Sequence, residues 1–136
     1  MNWYDTLLFL HVIAAFLLVT AVVLFLALYV ATDRGEGTPV LMLAPLADVL
    51  WTVGGVAVLV FGLWLAIYLS AYHPWDGWII AAIVLWMIGS AAGGRIGRGY
   101  RRLRSGTGAR PPLGLHVVLV VAVAALLIDM IYKPGA

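Results

Sequence analysis

Leu7–Ala31 reads LLFLHVIAAFLLVTAVVLFLALYVA, an uninterrupted apolar run without Asp, Glu, Lys or Arg. At 1.5 Å per residue it exceeds the roughly 30 Å hydrocarbon core of a bilayer, so it predicts a membrane-spanning helix. The six residues before it, MNWYDT, carry no Lys or Arg and include Asp5. A secretory leader needs a basic start and a shorter apolar segment, so the run reads as a retained first helix.

Three further apolar stretches follow, and together they predict one all-α domain over 1–136. The spans run approximately over 6–31, 46–72, 77–93 and 113–132, with the third only just long enough. Pro39 and Pro45 precede the second span, His73-Pro74 closes it, and Pro111-Pro112 opens the fourth. Prolines belong at such starts and stops because they lack an N–H and fix φ. None of the runs alternates in polarity as the strands of a membrane β-barrel do. Composition agrees: 65% of the chain is hydrophobic and only 10% charged, against about 25% charged in soluble domains. Such a chain could not cover itself in water. Cysteine is absent, which excludes disulfides and thiolate chemistry.

The loops differ sharply in charge. Arg34 lies in the first connection, and Arg95, Arg98, Arg101, Arg102, Arg104 and Arg110 lie in the third. On the other side only Lys133 is basic. The positive-inside rule then predicts a multi-pass protein of the cell membrane with N-out, C-out topology. Trp3, Tyr4, Tyr68, Tyr72, Trp75, Trp78 and Tyr132 cluster at the outer ends, where an interfacial aromatic belt is expected. Arg95, Arg98, Arg101, Arg102 and Arg104 are candidates for binding anionic lipid headgroups. Nucleic-acid binding is not expected, since Tyr100 is the one stacking aromatic in that segment.

Small residues recur at helix-contact spacing: Gly54, Gly55, Gly62 and Ala66 in the second span, Gly89, Gly93 and Gly97 in the third. They let backbones approach closely, either within the bundle or along the seam of a homodimer or larger complex. Val58 is expected on the lipid side of the second span.

Ionisable residues at membrane depth are functional candidates by default. Here they form two layers, His11 with Asp129 near the outer face and His116 with Asp48 near the inner one. His11 and Asp129 are expected to pair. His116 and Asp129 are about 20 Å apart along one helix, so His11 and His116 cannot share one metal or haem. His11 and His73 both approach the outer surface and could together serve as axial haem ligands. No metal site is expected from the residues themselves.

The segment Leu10-His11-Val12-Ile13-Ala14-Ala15 resembles the "LHxxAA" start of a bacterial family of predicted integral membrane proteins of unknown function. Gly62-Leu63-Trp64-Leu65-Ala66, followed by Tyr72-His73-Pro74-Trp75-Asp76-Gly77-Trp78, looks like that family's "GxxLA…GW" turn. Its members are similar in turn to copper-resistance D permease domains and to HemJ-type protoporphyrinogen oxidases. The first resemblance implies copper handling, and the second implies haem bound through His11. Oxidases of that type also carry a lysine in the third helix, where this chain has none. The reading of the residues themselves is a small non-enzymatic membrane protein, an accessory subunit or transporter-like component without a cofactor. Haem binding through His11 and copper handling are the alternatives.

Overall fold

Four long helices carry the chain, and in the computed structural model each is long and apolar enough to cross a membrane. The described residues are 2–35, 37–68, 73 and 75–132. The elements in order are α1 (Trp3–Asp33), α2 (Gly37–Val40), a single 3₁₀ turn (Leu41–Leu43), α3 (Ala44–Tyr68), α4 (Gly77–Arg104) and α5 (Leu113–Tyr132). This is an all-α transmembrane bundle of a multi-pass membrane protein. The arginine-bearing loops lie at one end, called here the arginine end. The turn that joins His73 to Asp76, the start of α1 and the end of α5 lie at the opposite end.

Local chemistry sets the helix limits. The Asn2 side chain accepts a 2.8 Å hydrogen bond from the Asp5 N–H, capping α1, and Asp5 in that first turn suits the helix dipole. Pro45 stands at the start of α3, where its missing N–H costs nothing. Thr20, Thr32 and Thr52 turn their hydroxyls back onto the carbonyls of Phe16, Leu28 and Asp48, so these hydroxyls are satisfied within their own helices. The 73–76 turn closes on itself: the His73 N–H donates to Asp76 at 2.9 Å, and the Asp76 N–H donates to the His73 carbonyl.

The span expected to stop at Gly93 continues as helix to Arg104. Its glycines explain both the expectation and the outcome. A Cβ at Gly93 would fall within the Trp51 indole, and one at Gly97 would overlap the Asp48 carboxylate. A Cβ at Gly99 would come within 2.5 Å of Pro111. These glycines are notches that seat side chains of α3 and Pro111, and that packing offsets their poor helix propensity. The second span begins two residues earlier than expected, at Ala44, and its expected end at Tyr72 lies outside the described residues.

The pairs α1–α3 and α4–α5 make the most intimate contacts, and α1 meets α5 only sparingly. At Gly54 the α1 backbone comes so close that a Cβ would lie 2.9 Å from the Leu18 nitrogen and 3.2 Å from the Ala14 carbonyl oxygen. The glycines of α3 therefore do not face those of α4. Gly54 and Gly62 receive α1, while Gly93 and Gly97 receive α3 side chains. The stripe considered as a homodimer seam is thus filled within the chain at Gly93 and Gly97. Val58, expected toward lipid, is buried.

The core is uneven along the membrane normal. Phe25, Leu28, Trp51, Ile96, Tyr100 and Leu119 belong to one large cluster toward the arginine end. At the opposite end the buried cluster shrinks to Ala66, Trp78 and Ile79. Dense packing at one end and sparse packing at the other set up everything that follows.

Candidate functional site: a cleft opposite the polar clasp of the arginine end

At the arginine end, polar groups find partners. His116 is buried, and its Nδ1 lies 3.0 Å from the Pro112 carbonyl oxygen while Nε2 lies 2.8 Å from the Tyr100 hydroxyl. A carbonyl can only accept, so Nδ1 carries the hydrogen; in the neutral ring Nε2 then accepts from the Tyr100 O–H. The imidazole also packs on Tyr29, with ring centroids 4.8 Å apart. Arg110 completes the arrangement. Its Nη1 donates to Asp33 at 2.9 Å and to the Tyr29 carbonyl at 3.4 Å, and its guanidinium lies 4.3 Å from the Tyr29 ring centre. The Asp33 hydrogen bond raises the Arg110 pKa still further above its ordinary value. The result is a clasp that joins α1, α4, α5 and the 105–112 loop.

Asp48 and His116, expected in one layer, both lie at this end but in separate interactions. Asp48 reaches Arg101 at 3.5 Å beside Gly97. Arg95, Arg98, Arg102 and Arg104 are exposed on α4.

The opposite end is different. His11 lies against Gly62: a Cβ there would lie 3.0 Å from the ring's Cε1 and 3.4 Å from Nδ1. Glycine alone leaves room for an imidazole to rest on the α3 backbone. The Val58 carbonyl lies beside the ring, yet Nδ1 is buried and makes no hydrogen bond. Asp129 is likewise buried, with Oδ2 unpartnered. No hydrogen bond joins His11 to Asp129, so the expected pair is not formed. An unpaired buried polar atom costs about 1–3 kcal/mol, and such atoms are uncommon in native structures.

His11 lines a cleft of about 460 Å³ between α1 and α5, walled also by Tyr4, Phe16, Trp78, Leu127 and Met130. On α1 the wall runs from Tyr4 to Val19, a length of about 22 Å. A smaller, partly open pocket of about 30 Å³ shares Gly62, Ala66, Trp78 and Met130 with it. Met130 reaches the same notch: the Gly62 Cβ position lies 3.4 Å from the Met130 methyl carbon. An imidazole and a thioether thus share one glycine-made recess.

His73 is not part of that wall. It is exposed in the turn and stacks on Trp75 at 5.1 Å, so nothing brings it to His11 as a second axial ligand. Trp78, read as a belt residue, is only 5% exposed and forms cleft wall instead, whereas Trp3, Trp75 and Tyr132 remain exposed. Among the described residues no three His, Cys, Asp or Glu side chains converge as a metal site would require. The sequence reading did not single out Met130, Trp78, Tyr100, Tyr29 and Arg110 for these roles. The one available signal was Gly62 alone among bulky neighbours, Phe61 and Leu63, on the span expected to pack beside His11.

No family model matches the chain, and searches of curated proteins and of solved structures return no match.

Proposed function

We propose that this small integral membrane protein is a non-enzymatic, transporter-like or accessory component that holds a lipid-soluble amphiphile in the α1–α5 cleft, with His11 contacting its polar group. The carrying observation is the cleft itself. Its volume and its mostly apolar wall are those of small-molecule sites, and the His11 imidazole lies on that wall. Loose packing between α1 and α5 supports entry from the surrounding lipid.

Retention of a ligand tests this reading. Protein extracted in mild detergent is expected to yield a co-purifying small molecule in its organic extract, measured by mass spectrometry. Ala15→Trp, which fills the cleft, and His11→Ala should each lower its amount at least tenfold. Val56→Trp, on the exposed face of α3, should not. Equal retention in all three variants, or no ligand in the wild type, refutes the reading.

The proposed orientation places the arginine end in the cytoplasm and both termini outside, in the cell membrane. Single cysteines at Ser105 and Asp76 are expected to react with an impermeant thiol reagent from opposite sides, Asp76→Cys alone in intact cells. Labelling of Ser105→Cys from outside reverses the assignment.

A second, metal-centred reading is favoured by the meeting of His11 and Met130 at Gly62. A nitrogen and a soft thioether suit Cu(I), and the same imidazole is the ligand that a haem reading requires. His11 would supply the nitrogen and Met130 the sulfur. A Soret band, or Cu(I) binding lost in Met130→Leu, supports this reading; a colourless protein indifferent to Cu(I) removes it.

A further inference from the structure

The seven arginines that set the charge asymmetry are not equivalent in the fold. Arg110 is consumed by Asp33 and Tyr29, and Arg101 by Asp48. Arg95, Arg98 and Arg102 are exposed and carry no ion pair among the described residues. Their spacing of three and four places them on one face of α4, opposite the face that buries Ala92, Ile96 and Tyr100.

Depth sharpens the point. α4 has 28 residues, about 42 Å, which exceeds the hydrocarbon core by about 12 Å. Counted from Gly77, Arg95 stands about 27 Å along the helix and Arg102 about 37 Å. The line thus starts at the edge of the hydrocarbon and climbs through the headgroup layer. A topology signal alone needs only charge in the loop; it does not require a rigid helix holding three unpartnered guanidiniums in file at phosphate depth.

We infer that Arg95, Arg98 and Arg102 form a binding line for the phosphate of an anionic lipid in the adjacent leaflet. Guanidinium forks match phosphate oxygens in bidentate geometry, and the helix keeps the three charges from folding back onto the protein's own carboxylates. The inference does not depend on the outer cleft.

Equal-charge variants test it, with the purified full chain reconstituted so that insertion topology plays no part. The probe is phosphatidylglycerol in a phosphatidylcholine background, with bound lipid read by native mass spectrometry. An arginine that holds the headgroup directly contributes about fivefold in affinity, on the order of one basic residue at an anionic surface, so Arg98→Gln with Arg102→Gln should weaken phosphatidylglycerol binding about 30-fold. Arg34→Gln with Arg104→Gln removes the same charge off the line and should change binding only a few-fold. Equal losses in the two doubles would mean diffuse attraction and overturn the binding line, as would no preference over phosphatidylcholine in the wild type. Inorganic phosphate should fail to displace the lipid; displacement would identify a free anion as the ligand and overturn the lipid assignment.

Discussion

Gly93→Ala is expected to lower the thermal midpoint of the detergent-solubilised protein, while Gly114→Ala leaves it unchanged or raises it. The two substitutions add the same methyl group to a helix. At Gly114 nothing lies within 4 Å of the new Cβ, so only the gain in helix propensity acts, at most about 0.8–1.0 kcal/mol. At Gly93 the new Cβ falls within the Trp51 indole. That ring is 6% exposed and abuts Phe25 at 6.4 Å, so it has little room to retreat. Overpacking of this kind costs about 1–3 kcal/mol. Circular dichroism melts of both variants against wild type check the difference in sign. A neutral Gly93→Ala would mean that α3 and α4 are not wedged together by Trp51.

The second large effect belongs to the clasp at the arginine end. Tyr100→Phe leaves His116 Nε2 buried without a donor, whereas His116→Leu leaves the Tyr100 hydroxyl the Thr32 side chain and the Phe25 carbonyl, 3.5 Å away. Tyr100→Phe is expected to cost about 1–3 kcal/mol, the desolvation cost of an unsatisfied buried group, and His116→Leu less, because the hydroxyl keeps partners. The double variant should be less destabilised than the sum, because no polar partner remains stranded. Pro112 keeps a hydrogen bond from the Leu115 N–H in every case. Additive losses in the double-mutant cycle would show that Tyr100 and His116 act independently.

Much of the fold was legible in the apolar runs, because a span in lipid must satisfy its own backbone and can do so only as a helix. What the sequence concealed lies where the same residue type serves opposite ends. Gly93 and Gly97 read as close-approach positions and Gly99 as part of a loop, but only the positions of Trp51, Asp48 and Pro111 reveal which side chains these notches seat. Trp78 and Trp75 are three residues apart in a stretch that reads as interfacial, yet one is buried and the other exposed. Arg110 and Arg98 read alike as basic loop charge, though one has a carboxylate and a ring beneath it and the other has neither. The candidate site was legible as His11 but not as a cleft. The α5 side chain that shares the Gly62 recess with His11 is Met130 rather than the charged Asp129, because a one-residue step on a helix turns a side chain through about 100°.

On the proposed reading, the half of the bundle away from the arginine end is built around a ligand, with the arginine end as its fixed clasp. An experimental density map of the protein in lipid nanodiscs, without added detergent, tests it most directly. The prediction is elongated density between α1 and α5, running along Leu8, Val12 and Phe16 and approaching a ring nitrogen of His11 within hydrogen-bond distance. A map in which Leu8 and Val12 close against Leu127 and Ile131, with no density between them, contradicts it.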